Sequence, residues 1–345
     1  MTDTLAARAT NGPTRRAAMK LAAGTAAAGI MLPTLAQAQE SKPAAPAASA
    51  DAVPSAATAL TPGWRSVMIG EARVTTVLDG LRPGDGPHPI FGENQSAETV
   101  AALMRENLLP ETRFANGFIP VVVEIAGSRV LFDTGFGAGG RENGMGRLTE
   151  RLAGAGYAPE DIDVVVLTHM HGDHIGGLME ANAPTFANAR YVAGQVEYDF
   201  WTSDEAKNGP RAANAEMVAK NVVPLKDKMT FVGEGAEVVP GIVAHEAFGH
   251  SPGHLVFTVV SSGQTLWLTA DTANHFVASL QKPDWEVRFD MDKAAAIATR
   301  RKIFDKIAAD RVPFIGYHMP FPGIGYVETI DGGYRFVPLT YQLDV

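Results

Sequence analysis

The order of elements along this chain predicts an α/β layered domain with sheets inside and helices outside. Three observations carry that expectation. β-rich runs fall in two groups, each followed by helical patterning, and the two halves share no sequence repeat. The run at 163–167 holds three consecutive valines, apolar on both faces, as a strand buried within a sheet must be. Residues 292–309 form the clearest amphipathic helix and lead into an apolar strand at 312–317. With 345 residues, 46% of them hydrophobic, the chain can bury about three quarters of its surface. It contains no cysteine, which excludes disulfide staples, thiol nucleophiles, iron–sulfur clusters and thiolate metal sites.

Residues 1–38 read as a twin-arginine signal peptide. Arg15 and Arg16 precede an apolar Ala/Leu/Gly-rich run, and Ala36, Gln37 and Ala38 offer a cleavage site. The run from Leu21 to Leu35 is shorter than the ~20 residues a membrane span needs. Export to the periplasm with cleavage near Ala38 is therefore the expectation, with no stable membrane anchor left afterwards. Residues 39–63, rich in Ala, Pro and Ser and without periodicity, read as a flexible linker. The folded domain is expected over 64–345. The leader's four cations exceed its single aspartate by three, so without it the formal charge of −9 becomes about −12. No Lys/Arg stripe offsets that charge, which argues against nucleic acid as a partner.

Within the domain, strands are predicted at 72–78, 119–125, 128–132, 163–167 and 190–193, with Ala126-Gly127 as a hairpin turn. Ser96 caps a helix at 96–107 that has Glu98 in its first turn, and a second helix is predicted at 145–153. Helical or irregular chain follows through 196–201 and 212–221. The later strands fall at 242–247, 254–260 and 265–268.

The sharpest chemical signal is the run His169, Met170, His171, Gly172, Asp173, His174, directly after the 163–167 strand. Imidazole nitrogens and carboxylate oxygens are the ligands zinc accepts where thiolates are absent. Alternate spacing lets His169 and His171 converge on one ion. Gly172 lets the chain turn Asp173 and His174 toward a second. A His-rich surface loop is the bland reading, and four such residues packed at a strand end argue against it.

The pattern His169-x-His171-x-Asp173-His174 resembles the metal-binding signature of the metallo-β-lactamase superfamily, whose fold is an αββα four-layer sandwich with a two-metal site along one edge. Four more segments resemble that family in the same order: Asp133-Thr134-Gly135, the run from His250 to His254, Thr269-Ala270-Asp271, and Gly316-Tyr317-His318. The resemblance implies a first metal held by His169, His171 and His250. It implies a second held by Asp173, His174 and His318, with Asp271 bridging both. Asp133 and His254 would support these ligands from behind. Two divalent ions are implied, zinc first, with manganese, cobalt or iron also suited to such donors. The implied reaction is hydrolysis, in which a metal-bridging hydroxide attacks a carbonyl or phosphoryl centre. Asp173 and Asp271 are then the catalytic carboxylates, and Asp173 could pass a proton to the leaving group.

The stretches from Tyr317 to Gly325 and from Gly333 to Pro338 resemble the methyl parathion hydrolase subgroup, whose members are exported, dinuclear, dimeric phosphotriesterases with lactonase and arylesterase relatives. That likeness implies a small ester, lactone or organophosphate substrate, a homodimer, and an apolar entrance. Phe118, Trp201, Phe276 and Phe321 are the candidates for that entrance, against ordinary core packing as the competing reading of each. Two positions depart from the pattern. Asn274 stands where lactonases of the family place a tyrosine. His275 stands where the phosphotriesterases have an apolar side chain, which makes it a candidate polar contact in the pocket. The alternatives are a cysteine-free metallo-β-lactamase and a non-catalytic metal-binding periplasmic protein. A di-iron oxygen reductase is disfavoured, because those enzymes use a flavin module.

Overall fold

The computed structural model describes residues 63–341. The leader expected at 1–38 and the linker up to residue 62 lie outside the described residues. The first sheet is built from β1 (Trp64–Ile69), β2 (Ala72–Val77), β5 (Val121–Ile125), β6 (Ser128–Phe132), β7 (Val164–Leu167), β10 (Arg190–Gly194) and β11 (Met229–Val232), hydrogen-bonded in that order. Pairing is antiparallel from β1 to β6 and parallel from β6 to β11. Two small ladders flank it, β3 (Gly80–Asp85) with β4 (Arg113–Phe118), and β8 (Met179–Glu180) with β9 (Ala183–Pro184). The second sheet runs in chain order through β12 (Glu237–Val239), β13 (Ile242–Glu246), β14 (Leu255–Ser261), β15 (Gln264–Ala270), β16 (Phe314–Gly316), β17 (Ile324–Ile330) and β18 (Gly333–Pro338).

Alternation along the strands explains the layers. In β7, Val164 and Val166 join the core between the sheets, where they meet Phe257, Val259 and Leu268 of the second sheet. Val165 and Leu167 point the other way. They pack beneath α2 (Leu148–Gly154), α4 (Gln195–Thr202) and α6 (Ala212–Asn221), which contribute Leu152, Trp201 and Val218. On the far side, Val256 and Trp267 of the second sheet pack under Ile303, Phe304 and Ile307 of α8 (Lys293–Asp310). The result is the αββα sandwich. Shorter helices complete the chain: α1 (Ala97–Glu106), α3 (Gly172–Ile175), α5 (Asp204–Asn208) and α7 (Ala278–Gln281).

Local chemistry fixes several boundaries. Ser96 caps α1 by accepting Thr99 N at 3.1 Å, and Asp292 caps α8 by accepting Ala295 N at 2.9 Å. Ala126 and Gly127 both take positive φ (50° and 78°), the twist a two-residue hairpin requires. The helix expected from residue 145 begins at Leu148 instead. Asp79, far back in the chain, accepts Gly146 N at 2.9 Å and Leu148 N at 3.1 Å, and so caps that helix from outside its own sequence. The β3–β4 ladder, closed across α1, and the β17–β18 hairpin go beyond the strands expected from the sequence. Pro83 and three glycines within β3 and β4 dilute the first pattern, and glycines at 325, 332 and 333 dilute the second.

Helix α8 carries Arg300 within its buried row, beside Ala296, Ile303, Phe304 and Ile307. The guanidinium is fully buried and satisfied: it donates to Thr272 O, Pro283 O and the Asp290 carboxylate. Breaking a buried pair by removing one partner costs about 3–5 kcal/mol. Arg300→Ala is therefore expected to destabilise the fold by an amount of that order, read as a lowered denaturant midpoint at unchanged m-value.

Candidate metal centre

Parallel pairing places the ends of β6 and β7 side by side, and the ends of β15 and β16 likewise. The turns after these strands carry Asp133, the run from His169 to His174, Asp271 and His318. Close backbone approach holds the turns together. A Cβ at Gly177 would lie 2.1 Å from Thr134 O, so the end of the histidine run fits against the Asp133 turn only with glycine there. A Cβ at Gly253 would meet Glu197 N at 2.1 Å, which seats the His250 loop on the first turn of α4. Asp133 and Ala270 take φ of 60° and 42°, an uncommon conformation imposed at two positions beside the cluster.

Seven side chains converge. His171 Nδ1 lies 3.0 Å from both His169 Nε2 and His250 Nε2. Asp173, His174 and His318 form a second donor group. The Asp271 carboxylate sits between them, with Oδ2 at 3.2 Å from His250 Nε2 and 3.0 Å from His318 Nε2, and Oδ1 at 3.3 Å from His174 Nε2. These residues fit a pair of cations on two grounds. Nitrogens about 3 Å apart match the edge between ligands about 2.0–2.1 Å from one ion. His174 Nε2 and Asp271 Oδ1 are buried without a hydrogen-bond partner among the described residues, a cost that a cation between such groups removes.

The outer nitrogens fix which ring atom faces inward. Thr168 Oγ1 donates to Asp133 Oδ2 at 2.8 Å, so it accepts from His169 Nδ1–H at 3.2 Å. His174 Nδ1 donates to Asp133 Oδ2 (2.8 Å), His250 Nδ1 to Asp290 Oδ1 (2.9 Å), and His318 Nδ1 to Gly117 O (2.8 Å). Four rings thus turn Nε2 toward the centre, the atom that can ligate once its ring is neutral. His254 donates Nδ1–H to Ala247 O and accepts Asp271 N at 3.3 Å, which braces the shared carboxylate. Burial, reinforced by His250, pushes its pKa down to about 3, so it stays neutral.

Carboxylates and imidazoles in the cluster shift one another. Burial works to raise the Asp173 and Asp271 carboxyls, but the facing imidazoles hold both below their ordinary value. Burial likewise works against His250, yet Asp271 and Asp290 lift it to about 9. His174 is raised well above its usual range by Asp173, Asp271 and Asp133 against the same burial.

Sequence reasoning missed several supports. Asp290 accepts from both His250 and Arg300. Asn274, the residue standing in for a tyrosine, donates to Asp271 Oδ2 at 2.9 Å. Glu197 is buried and accepts Met170 N, Trp201 Nε1, Ser251 Oγ and Gly253 N at 2.7–2.9 Å, tying both histidine loops to α4. An acidic residue in the apolar first turn of a helix was the available signal.

The model of the metallo-β-lactamase superfamily matches residues 120–313. The chain belongs to this superfamily. An N-acyl homoserine lactonase of a Bacillus species is 27% identical over 177 residues, 50% of this chain and 62% of that protein. One from Bacillus thuringiensis is 30% identical over 129 residues, 37% of this chain and 45% of its own length. The matches therefore span less than two thirds of these curated relatives. Among solved structures, AidC, a dizinc quorum-quenching lactonase in complex with a product, aligns at TM-score 0.75 with 24% identity, covering 81% of this chain and 98% of its own. The hydrolase AbOPH aligns at 0.74 with 23% identity and the same coverage. At that identity the likeness concerns the fold.

In this superfamily member a cavity of about 570 Å³ opens over the centre, with His171, Asp173, His250, Asp271 and His318 in its lining. Phe118 lines it, joined by Phe114, Phe136 and Ile90. The other expected pocket residues lie elsewhere. Trp201 is fully buried behind His171, its indole N–H spent on Glu197. Phe276 packs between two hydrophobic clusters and stacks on His275. Phe321 lines a separate surface groove with Trp64 and Leu339. His275 is buried against Phe91 and accepts Val277 N and Ala278 N at Nδ1, capping the start of α7 rather than facing the cavity. Burial pushes it down to about 4, so it stays neutral.

Two measurements check this site. Asp133→Asn removes the anionic acceptor behind His174 and is expected to weaken metal affinity about 10–100-fold, read by competition with a chromophoric chelator. His250 is protonated below about 9 in the metal-free protein, and ligation requires its neutral ring. Metal uptake at pH 7.5 should therefore release protons into weak buffer, the release fading as pH rises through 9.

Proposed function

We propose that this protein is a dinuclear metal-dependent hydrolase of ester bonds, with lactones as the leading substrate class. The observation that supports it most directly is the Asp271 carboxylate, placed between two separate His/Asp donor groups on the floor of one cavity. In this reading His169, His171 and His250 hold one ion, Asp173, His174 and His318 the other, and Asp271 bridges them. When bound, two divalent ions, zinc here, supply Lewis acidity toward the scissile oxygen and lower the pKa of water toward ~7.

The chain's own residues do the rest. Asp133, Asp290 and the Gly117 carbonyl hold His174, His250 and His318 in one orientation. Phe114, Phe118 and Phe136 line the cavity and exclude water around the reacting group. Asp173, mostly buried at the cavity floor and held ionised, can accept a proton on its carboxylate during attack and pass it to the departing oxygen. The cavity volume suits a small ligand. Asn116 and Asn214 beside the aromatic wall offer hydrogen bonds that an acyl or lactone carbonyl can use. The aromatic wall itself favours the second reading, phosphotriester hydrolysis of the organophosphate kind. Export to the periplasm, supported by Arg15, Arg16 and the run to Ala38, and a homodimer belong to the same proposal.

Metal analysis and a kcat/KM panel of lactones, aryl esters, phosphotriesters and nitrocefin test the proposal. Asp271→Ala should lower bound metal from two equivalents to one or fewer. All ester activities should fall together, by more than the ~10–100-fold that loss of a supporting residue costs. Chelation should abolish turnover and zinc restore it. Two bound ions without turnover of any ester would favour a binding protein, and turnover of nitrocefin alone a β-lactamase.

A further inference from the structure

We propose that the cavity recognises a carboxylate on its ester substrate through Arg211, with Arg288 beside it; the substrate class rests on the hydrolase reading above. The chain has a formal charge of −9, yet Arg82, Arg211 and Arg288 all line this cavity. Arginines elsewhere are matched: Arg105, Arg141 and Arg147 each face a carboxylate at 2.6–2.7 Å. Arg211 is not matched in this way. It is half-buried, and among the described residues its guanidinium donates one hydrogen bond, from Nη2 to Phe289 O at 3.0 Å. The carboxylate whose charge acts on it, Asp290, is already taken by His250 and Arg300. A guanidinium has five N–H donors, and here one is used by the protein. Arg288 makes a long 3.8 Å contact with Glu93 and leaves its side chain half-exposed.

Position makes this a recognition element rather than a loose surface charge. Arg211 is the residue preceding α6, and Asn214 in the first turn of that helix donates Nδ2 to Met170 O at 2.8 Å, inside the histidine run. The bond to Phe289 O ties the same guanidinium to the residue next to Asp290, which orients His250. Two links therefore set its place relative to the metal ligands. The lining carboxylates do not compete for it. Asp85 is exposed beside Arg113, and Asp173 and Asp271 belong to the donor groups. Desolvation works to lower the Arg211 pKa, which a bound anion would offset. A planar fork with free donors suits a carboxylate bidentately. The substrate is thus an ester or lactone bearing a carboxylate remote from the scissile bond, hydrolysed to an acid and an alcohol.

The test compares two matched substrates, the mono-4-nitrophenyl ester of adipic acid and its methyl-capped diester, on zinc-loaded enzyme. A charge-assisted contact predicts at least about a tenfold preference in kcat/KM for the free acid, shrinking with added salt. Arg211→Gln should bring that ratio to about one with bound zinc unchanged. Arg211→Lys should keep part of it, since charge persists without the fork. Adipate binding to the chelator-treated protein, followed by calorimetry, gives a readout independent of turnover and should weaken about tenfold in Arg211→Gln. A ratio near one in the unaltered enzyme, or adipate binding unchanged by Arg211→Gln, overturns the proposal while leaving ester hydrolysis intact. Adipate binding that depends on Arg211 in a protein inert toward every ester would sink the hydrolase reading and leave the anion site standing.

Discussion

Five imidazoles and two carboxylates are held closer together than their own protons can satisfy, and the rest of the structure serves to keep them there. Four of the five inward nitrogens are set by an outward hydrogen bond: Asp133 behind His174, Asp290 behind His250, Thr168 behind His169 and a backbone carbonyl behind His318. Such an arrangement leaves His171 Nε2, His174 Nε2 and Asp271 Oδ1 buried without hydrogen-bond partners among the described residues. The sandwich is the frame that holds it. Its strand ends deliver ligands from both sheets to one edge, and the valine-rich core between the sheets keeps those ends from drifting apart.

Two of the supporting residues lie on or reach in from the outer helix layers. Glu197 on α4 fastens both histidine loops, while Arg300 on α8 fastens Asp290. Each outer helix layer therefore reaches through to one side of the centre. Buried charge of this kind contributes little net stability, because desolvation offsets most of the attraction. Its effect here is orientation. The same economy explains His254 and His275, two buried neutral imidazoles used as backbone braces rather than as ligands or substrate contacts.

Much of the fold and nearly all of the donor cluster were legible in the sequence, for a physical reason. Three imidazoles and a carboxylate within six residues after an apolar strand betray His169 to His174 by type and spacing, whereas His250, Asp271 and His318 came from the resemblance to the superfamily. Val164 to Leu167 and the 292–309 helix pointed to a layered α/β domain, and the four-layer sandwich came from the resemblance to the superfamily. What stayed hidden was long-range. Asp79 capping α2, Asp290 behind His250 and Arg211 in the cavity wall depend on partners brought near only by folding. Aromatic identity was a poor guide as well: Phe118 faces the cavity, whereas Trp201, Phe276 and Phe321 satisfy the same composition argument from within packed layers or another groove.

The chain of contacts from Arg300 through Asp290 to His250 carries one more implication. A ligand whose orientation is fixed by the outermost helix inherits that helix's local opening. Whenever α8 frays or lifts from the second sheet, His250 loses its guide while His169, held through Thr168 at the edge of the opposite sheet, keeps its own. The two halves of one donor triad therefore report on different layers, and warming should loosen one half of the triad before either sheet begins to melt.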